Sequence, residues 1–333
     1  MKAYPIKFRP ILKEKIWGGN KLSQILNKET DLENVGESWE ISGVKGNISE
    51  VVNGDYKGQN LNDLITTYKT EFLGLANYER FGGEFPLLIK FLDAKTDLSV
   101  QVHPDDKMAK AYHNSFGKTE MWYIMGSDDD ADIVLGLKDE SVDKNILGQI
   151  SANNVEDIFN REKVRQGDSY FIPAGKIHAI GAGVLAAEIQ QTSDITYRVY
   201  DWDRTDNSGN KRDLHTKHAI EATKSFESNG KCDYELVSYK NSNLVSCDFF
   251  TTNIFKVNGL RQINYDYLDS FVIFMCVEGE TLISVNGYTE TLKMGETVLL
   301  PASIRTALFS AESAKLLEVY VDTKCINDVK KVS

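Results

Sequence analysis

The hydrophobic pattern of the chain is dominated by short apolar runs that are typical of β-strands. Runs such as "SWEIS", "FPLLIKFL", "EMWYIM" and "SFVIFMCV" are rich in Val, Ile, Tyr and Phe, and Gly, Asp, Asn or Pro bound them. Apolar residues three or four positions apart, the helical spacing, occur in 61–74, 141–154 and 213–226. The pattern therefore predicts a mostly β protein with a few helices, and its many short strands favour a barrel or a sandwich.

One pattern of glycine, acid, apolar strand and Pro-Ala occurs twice, 128 positions apart. Gly167–Ile180 reads "GDSYFIPAGKIHAI", and Gly295–Leu308 reads "GETVLLPASIRTAL". A hairpin-like stretch precedes each copy, "MWYIMGSDDDADIVLGL" in the first and "VIFMCVEGETLISVNGY" in the second. The repeat predicts two β-barrel domains of one type, residues 1–226 and 227–333, with the boundary at the polar segment 227–233. The simpler alternative is ordinary β-sheet punctuation by glycine and proline.

Polar side chains interrupt a strand-like run at "LSVQVHPDD" (98–106). Because strand side chains alternate between faces, Gln101 and His103 point the same way. They are either a polar pair inside a barrel or part of a metal site. Glu120 begins another strand-like run, and His178 ends the first copy of the repeat. Thr306 stands at the matching place in the second copy, so only the first domain is predicted to bind metal.

Charge and cysteine content exclude several classes of protein. The 333 residues carry a net charge of -11, which argues against a nucleic-acid-binding surface, since such a surface needs a basic face. No run approaches the ~20 apolar residues of a membrane span. Cys232, Cys247, Cys276 and Cys325 are widely spaced and form no CxxC pair. A disulfide framework is therefore not expected, and a reducing cytoplasm is the expected location.

The stretch from Gly167 to His178 resembles the second signature motif of the cupin family, G-x5-P-x-G-x2-H, at every fixed position. Taken with this motif, Gln101, His103, Glu120 and His178 offer two imidazoles, one carboxylate and one amide oxygen. Two neutral nitrogens and a carboxylate suit a divalent first-row metal ion with open positions for a substrate. Gln101 is either a ligand or a residue that orients His103.

An ordered set of motifs resembles the type I mannose-6-phosphate isomerases, in their short bacterial form. The resemblance covers about the first 220 residues and is carried by "WGGNKL", "GESWEIS", "FPLLIKFLDA", "LSVQVHPDD", "GKTEMWYI", "PAGKIHAIG" and "QQTSDITYRVYDWDR". It implies a bicupin fold, in which a metal-free C-terminal cupin follows the catalytic one. It also implies an enzyme that interconverts mannose 6-phosphate and fructose 6-phosphate through an enediol(ate) intermediate.

The resemblance also assigns roles to individual residues. It implies one zinc ion per chain, held by Gln101, His103, Glu120 and His178. The family's catalytic arginine falls on Arg198, and its active-site lysine falls on Lys118. A sugar phosphate is the expected partner, and the chain is expected to be a monomer or a small homo-oligomer.

The proton chemistry of such a site stays open. Longer family members carry His-Lys-Pro-Glu where this chain has Gly117-Lys118-Thr119-Glu120, so no role of that histidine transfers. An arginine stays protonated and is a poor base, so Arg198 fits phosphate binding or enediolate stabilisation. A lysine can act as a base when it is desolvated near other cations. We therefore expect either Lys118 or a water on the zinc to carry the proton.

Three alternatives remain at the level of sequence. An iron(II) cupin oxygenase uses two histidines and one carboxylate, but Gln101 replaces its usual first histidine, and the cations Lys118 and Arg198 do not fit it. A non-catalytic sugar-phosphate-binding cupin would keep the site without turnover, although the intact ligand set argues against it. An isomerase of the same type could also act on another sugar, because a fold does not fix a substrate.

Overall fold

The computed structural model describes residues 1–139, 141–205 and 208–322. The strands are β1 Ile11–Gly19, β2 Val35–Ile41, β3 Leu87–Asp93, β4 Val100–Val102, β5 Glu120–Ser127, β6 Asp132–Leu137, β7 Phe159–Lys163, β8 Ser169–Ile172, β9 His178–Ile180, β10 Val184–Gln191, β11 Tyr197–Tyr200, β12 Ser242–Ser246, β13 Thr251–Asn264, β14 Val272–Val285, β15 Tyr288–Lys293, β16 Thr297–Leu300 and β17 Thr306–Tyr320. The helices are α1 Lys21–Gln24, α2 Leu61–Tyr68, α3 Thr70–Leu73, α4 Leu75–Phe81, α5 Asp106–His113, α6 Val155–Ile158 and α7 Thr216–Ala222, with 3-10 turns at Gly54–Tyr56 and Lys144–Gln149. Cys325 and the end of the predicted second domain lie outside the described residues.

The N-terminal half is a sandwich of two antiparallel sheets. The first sheet has the strand order β1-β2-β3-β10-β5-β8, and the second has the order β11-β4-β9-β6-β7. Among the described residues no strand pairing joins the two sheets, so this half is a jelly-roll sandwich and not a closed barrel. The prediction of a mostly β fold is confirmed.

The first sheet is buried on both faces. Leu92, Trp122 and Ile124 face the inside of the sandwich, while their neighbours Phe91 and Tyr123 pack in a separate cluster on the outer face. This explains why "FPLLIKFL" is apolar at every position except Lys90 and does not alternate, since a strand covered on both faces needs apolar residues in both orientations.

The C-terminal half is built on one sheet with the order β12-β13-β17-β14-β15, in which β16 also pairs with β14. The repeat seen in the sequence recurs here as structure. β8 and β16 begin at matching positions of the two copies, and so do β9 at His178 and β17 at Thr306. The predicted repetition of one β unit is confirmed.

The predicted hairpins before each copy are wrong. β5 and β6 lie in different sheets, so the acidic segment between them carries the chain across the sandwich instead of closing a hairpin. In the second copy, "VIFMCVEGETLISV" forms the single strand β14. Its register shifts near Glu278 and Gly279 mark a bulge where the sequence suggested a turn.

Two of the three predicted helices are confirmed, and one is wrong. Segment 61–74 forms α2 and α3, divided at Lys69, which has a positive φ of 46°. Segment 213–226 contains α7. Segment 141–154 forms only a 3-10 turn, preceded by Asp143, whose side chain accepts a hydrogen bond from the Asn145 main chain at 2.9 Å.

Helix α5 was not predicted, although its start carries a recognisable cap. Asp105 accepts a hydrogen bond from the main-chain nitrogen of Met108 at 2.9 Å, which is the usual N-cap arrangement. His113 is the last residue of this helix and is exposed.

The two halves share a core and main-chain hydrogen bonds. Ile6 pairs with Leu299 of β16 in both directions, with each hydrogen bond at 2.9 Å. The rings of Phe85 and Phe271 lie 4.9 Å apart in the apolar cluster that covers the outer face of the first sheet. The division of the chain at residue 226 stays a prediction.

We expect Gly18→Ala to destabilise the fold, because a Cβ at Gly18 would lie 2.0 Å from the main-chain oxygen of Asn34. Overpacking of this kind lowers the free energy of unfolding by about 1–3 kcal/mol. Urea unfolding measures the effect. The control Gly83→Ala has no heavy atom within 4 Å of its new Cβ and should change stability by less than about 0.5 kcal/mol. Equal unfolding midpoints for the two variants would contradict this account.

Candidate metal centre and adjoining pocket

Three strands from both sheets bring His103, Glu120 and His178 together inside the N-terminal sandwich. His103 follows β4, Glu120 begins β5 and His178 begins β9. All three residues are buried, and one potential ligand atom from each lies within 4.8 Å of the others. The sequence places these residues 17 to 75 positions apart, and the packing of the two sheets unites them.

The Nε2 atoms and carboxylate oxygens of this cluster face one another as hydrogen-bond acceptors. The Nε2 atoms of His103 and His178 are 3.1 Å apart, and they lie 3.5 and 3.3 Å from the oxygens of Glu120. Neither oxygen of Glu120 has a hydrogen-bond partner among the described residues, although the Nζ of Lys118 lies 3.4 Å from one of them. A buried carboxylate without such partners is costly unless a cation compensates it.

The other nitrogen of each imidazole fixes its tautomer. The Nδ1 of His103 lies 3.0 Å from the carbonyl oxygen of Ile195, and the Nδ1 of His178 lies 2.9 Å from that of Lys176. Because a carbonyl only accepts, each Nδ1 carries the proton and each Nε2 presents a lone pair to the centre. Such a backing hydrogen bond is typical of metal-bound histidine.

Burial shifts the pKa of each group in the direction that favours its neutral form. Burial raises the pKa of Glu120 to about 7 and lowers that of His178 to about 3, and it holds the pKa of His103 well below its usual value. Neutral imidazoles are the form that binds a metal ion, and a divalent cation would offset the cost of ionising Glu120. The donor set therefore fits a divalent metal ion.

Gln101 lies between this cluster and a pocket that opens beside it. In the strand pairing, Gln101 stands opposite His178 of β9 on one side and opposite Arg198 of β11 on the other. Its side chain is half-buried and lines the pocket. Its assignment as a fourth ligand stays a prediction.

The pocket consists of two adjoining cavities of about 110 and about 300 Å³. Lys118, which the sequence singles out, lines both cavities, and Arg198 lines the smaller one. The Nζ of Lys118 lies 3.4 Å from Glu120, and the side chain is buried. Among the described residues that line the smaller cavity, the basic side chains outnumber the acidic ones. They are Lys15, Lys90, Lys118, Arg198 and Arg212, against Glu37 and Glu188.

Arg198 lines the pocket and is held there by a main-chain carbonyl group. Its Nη1 donates to the carbonyl of Asp213 at 2.8 Å, while its buried Nε has no hydrogen-bond partner. Arg212 is fixed nearby because its Nε donates to Asp201 at 2.7 Å.

A buried ion pair of Lys90 and Glu188, which the sequence patterns did not predict, lies in the wall of the pocket. The two residues are directly opposite in the pairing of β3 with β10, and Nζ lies 2.8 Å from the carboxylate. Burial opposes both charges, but Lys90 and Lys118 outweigh it and lower the pKa of Glu188 to about 2. In return, Glu188 and Glu37 raise the pKa of Lys90 to about 12 against the effect of burial. The sequence feature that could have revealed Lys90 and Glu188 is that each is the single charged residue in a strand-like run, "FPLLIKFL" and "GVLAAEIQ" respectively.

A jelly-roll sandwich with two histidines and a carboxylate converging at its centre defines a cupin with a candidate metal centre. Comparison with known proteins identifies the family. The profile "Phosphomannose isomerase type I, catalytic domain" matches residues 6–144, and "Mannose-6-phosphate isomerase, cupin domain" matches residues 240–321. The chain belongs to the type I phosphomannose isomerases, a family of enzymes.

Individual relatives cover nearly the whole chain. The mannose-6-phosphate isomerase ManA of Bacillus subtilis is 35% identical over 305 residues, which is 90% of this chain and 94% of that protein. The mannose-6-phosphate isomerase of Streptococcus mutans is 34% identical over 316 residues, or 93% and 96% of the two chains. The crystal structure of the Bacillus subtilis mannose 6-phosphate isomerase matches with a TM-score of 0.85 and 34% identity, covering 96% of this chain and 99% of that one.

The matched segments divide the candidate site. Residues 6–144 include Gln101, His103, Lys118 and Glu120, whereas His178 and Arg198 lie between the two family matches. The roles of these last two residues rest on the sequence motifs and on the geometry described above. In the part of the chain that the structure describes, no helix has the length and apolar character needed to span a membrane.

We expect the purified full-length protein to carry one divalent metal ion per chain. His178→Ala should retain less than about a tenth of that ion, because it removes one of three converging donors. Elemental analysis measures the content. A chelator should lower the melting temperature of the wild-type protein but not that of His178→Ala, since an ion that binds only the folded state stabilises it. His113→Ala, which removes an exposed histidine, serves as the control and should bind metal normally.

Proposed function

We propose that this protein interconverts mannose 6-phosphate and fructose 6-phosphate, with one zinc ion per chain. The observation that carries the proposal is a cationic pocket beside the buried His-Glu-His cluster, in a chain whose net charge is -11. In such a chain an anionic substrate needs placed cations, because the field of the whole protein repels it. The names of the relatives supply the sugar phosphate that fits this requirement.

His103, Glu120 and His178 would hold the zinc ion, with Gln101 as the proposed fourth ligand. When bound, the ion would polarise substrate oxygens and stabilise the negative charge that develops on them. The reaction moves one hydrogen from C2 to C1 of the aldose and another from the C2 hydroxyl to O1. The chain must therefore supply a proton carrier near both carbons and cations that favour an enediolate.

Lys118 is the proposed proton carrier. Its Nζ lies 3.4 Å from Glu120, at the boundary between the candidate metal centre and the pocket, and burial keeps bulk water away from it. From this position its amine, when unprotonated, would take the proton from one carbon and return it to the neighbouring one. Proton transfer by a positioned side chain typically contributes about 10²–10⁴-fold to a rate.

Arg198 is the proposed anion-binding residue. Its side chain lines the pocket, and its buried Nε–H has no hydrogen-bond partner among the described residues. A charge-assisted hydrogen bond from this group would either hold the phosphate or stabilise the enediolate.

Lys90 and Glu188 would give the pocket wall fixed charges. Trp122 donates from Nε1 to Glu188 at 3.1 Å, so the carboxylate is held by two neighbours at once. With its pKa lowered to about 2, Glu188 stays ionised at neutral pH and is suited to accept hydrogen bonds from sugar hydroxyls.

We also propose a cytoplasmic location and a monomer or small homo-oligomer. Cys232, Cys247 and Cys276 are free thiols, which fits a reducing compartment.

The test is a coupled assay for fructose 6-phosphate formed from mannose 6-phosphate by the zinc-loaded protein. We expect Lys118→Met to lower kcat at least about a hundredfold. Arg198→Met should lower kcat/KM by about 10²–10³-fold, because it removes a cation that faces developing charge.

Exposed residues of the same types provide matched controls. Lys217→Met and Arg165→Met should keep wild-type turnover, since both side chains lie on the surface away from the pocket. No turnover by the zinc-loaded wild-type protein would refute the proposed activity. Near-normal turnover by Lys118→Met would remove the lysine from the proton transfer.

A further inference from the structure

His215 makes an unusual contact with the main chain of Arg198. β11, which carries Arg198, stands at the edge of the second sheet, where alternate main-chain groups lack a strand partner. The main-chain nitrogen of Arg198 donates to the Nδ1 of His215 at 3.1 Å, and the main-chain nitrogen of His215 donates back to the Arg198 carbonyl at 2.8 Å. One residue thus satisfies both edge groups of Arg198.

The imidazole performs the task that a carbonyl oxygen would perform in a neighbouring strand. His215 precedes helix α7, and its own carbonyl already accepts from the main-chain nitrogen of Ala219 at 2.9 Å. Its side chain makes no capping hydrogen bond to the helix. The side chain is therefore free to act as the acceptor for Arg198.

The same segment also holds the guanidinium. The carbonyl of Asp213 accepts from Nη1 of Arg198 at 2.8 Å, two residues before His215. Both the main chain and the side chain of Arg198, a residue that lines the pocket, are thus tied to residues 213–215. A shift of this segment would move the guanidinium relative to the pocket.

We propose that His215 is a positioning residue, whose unprotonated imidazole holds Arg198 in place for the substrate. The proposal rests on the proposed function, in which Arg198 binds the substrate. It requires the tautomer with the proton on Nε2, because Nδ1 must present a lone pair to the Arg198 N–H. Protonation of Nδ1 would set two N–H groups against each other and break the contact.

The surroundings of His215 keep it neutral at neutral pH. The charged and titratable groups around it are Arg198 and Tyr197 on β11, Asp213 just before it, His218 on α7 and His113 on α5. Burial and then the Arg198 cation lower the pKa of His215, against the opposing effect of Asp213. The contact is therefore intact at neutral pH and is lost as the pH falls through a value below the usual ~6.5 of histidine.

Two substitutions separate the acceptor from the titrating group. In His215→Asn the amide oxygen can occupy the place of Nδ1 and accept without titrating, whereas His215→Leu removes the acceptor. We expect His215→Leu to lower kcat/KM about tenfold at neutral pH, the size of one lost hydrogen bond to a group out of water. His215→Asn should stay within about twofold of wild type at pH 7.5, by the same argument, and should lack the decline in kcat/KM that His215 protonation causes. The control His218→Asn should keep that decline.

A spectroscopic measurement tests the contact independently of turnover. In zinc-loaded protein labelled with ¹⁵N-arginine, the Arg198 amide is assigned by its absence in Arg198→Lys. Its amide shift should follow the protonation of His215 in wild type and in His218→Asn, and should be unaffected by acid in His215→Asn. If the Arg198 amide shift of the wild-type protein does not change as the pH falls, the proposed contact is overturned. A His215→Leu variant with wild-type kcat/KM and pH profile overturns the positioning role. Failure of the wild-type protein to isomerise the sugar phosphate would instead refute the proposed function and leave the amide experiment valid.

Discussion

The candidate site depends on one electrostatic constraint, which is that two imidazole lone pairs and a buried carboxylate converge inside the sandwich, with Lys118 beside the carboxylate. Both imidazoles donate their Nδ1 protons to carbonyl groups. Their Nε2 atoms, which carry lone pairs, therefore lie 3.1 Å apart beside the carboxylate of Glu120, which has no hydrogen-bond partner among the described residues. Without a cation this arrangement is repulsive and desolvated. The surrounding jelly roll is therefore built around a place for a positive charge, and the strand ends of both sheets are fixed by it.

A second layer of charge lies between this centre and solvent. Lys90 and Glu188 satisfy each other across β3 and β10, and Trp122 adds a third contact. A buried ion pair contributes little net stability, because desolvation cancels most of its attraction. The role of this ion pair is to fix the positions of one cation and one anion in the wall of a pocket that must orient a polar sugar.

The sequence predicted the class of fold and the centre of the site because both leave local patterns. Alternation put Gln101 and His103 on one face, and the glycine–proline motif around His178 marked a second strand with the same environment. The repeat located the second β unit down to the start of β17.

The predictions that failed concerned features decided by long-range packing. Whether β5 and β6 form a hairpin or separate into two sheets depends on their partners β10 and β9, which the local sequence does not encode. The contacts of His215 with Arg198 were missed for the same reason, since they join an edge strand to a helix start.

The double burial of the first sheet gives the C-terminal half a structural role, since its apolar residues cover the outer face of that sheet. The outer face of that sheet presents Leu87, Ile89 and Phe91 to a cluster that also contains Phe271 and Ile273 of the second half. The first sheet, whose strands β5 and β10 carry Glu120 and Glu188, is thus covered on its outer face by the C-terminal half. Because the C-terminal half covers this face, the N-terminal half expressed alone would expose a large apolar surface to water.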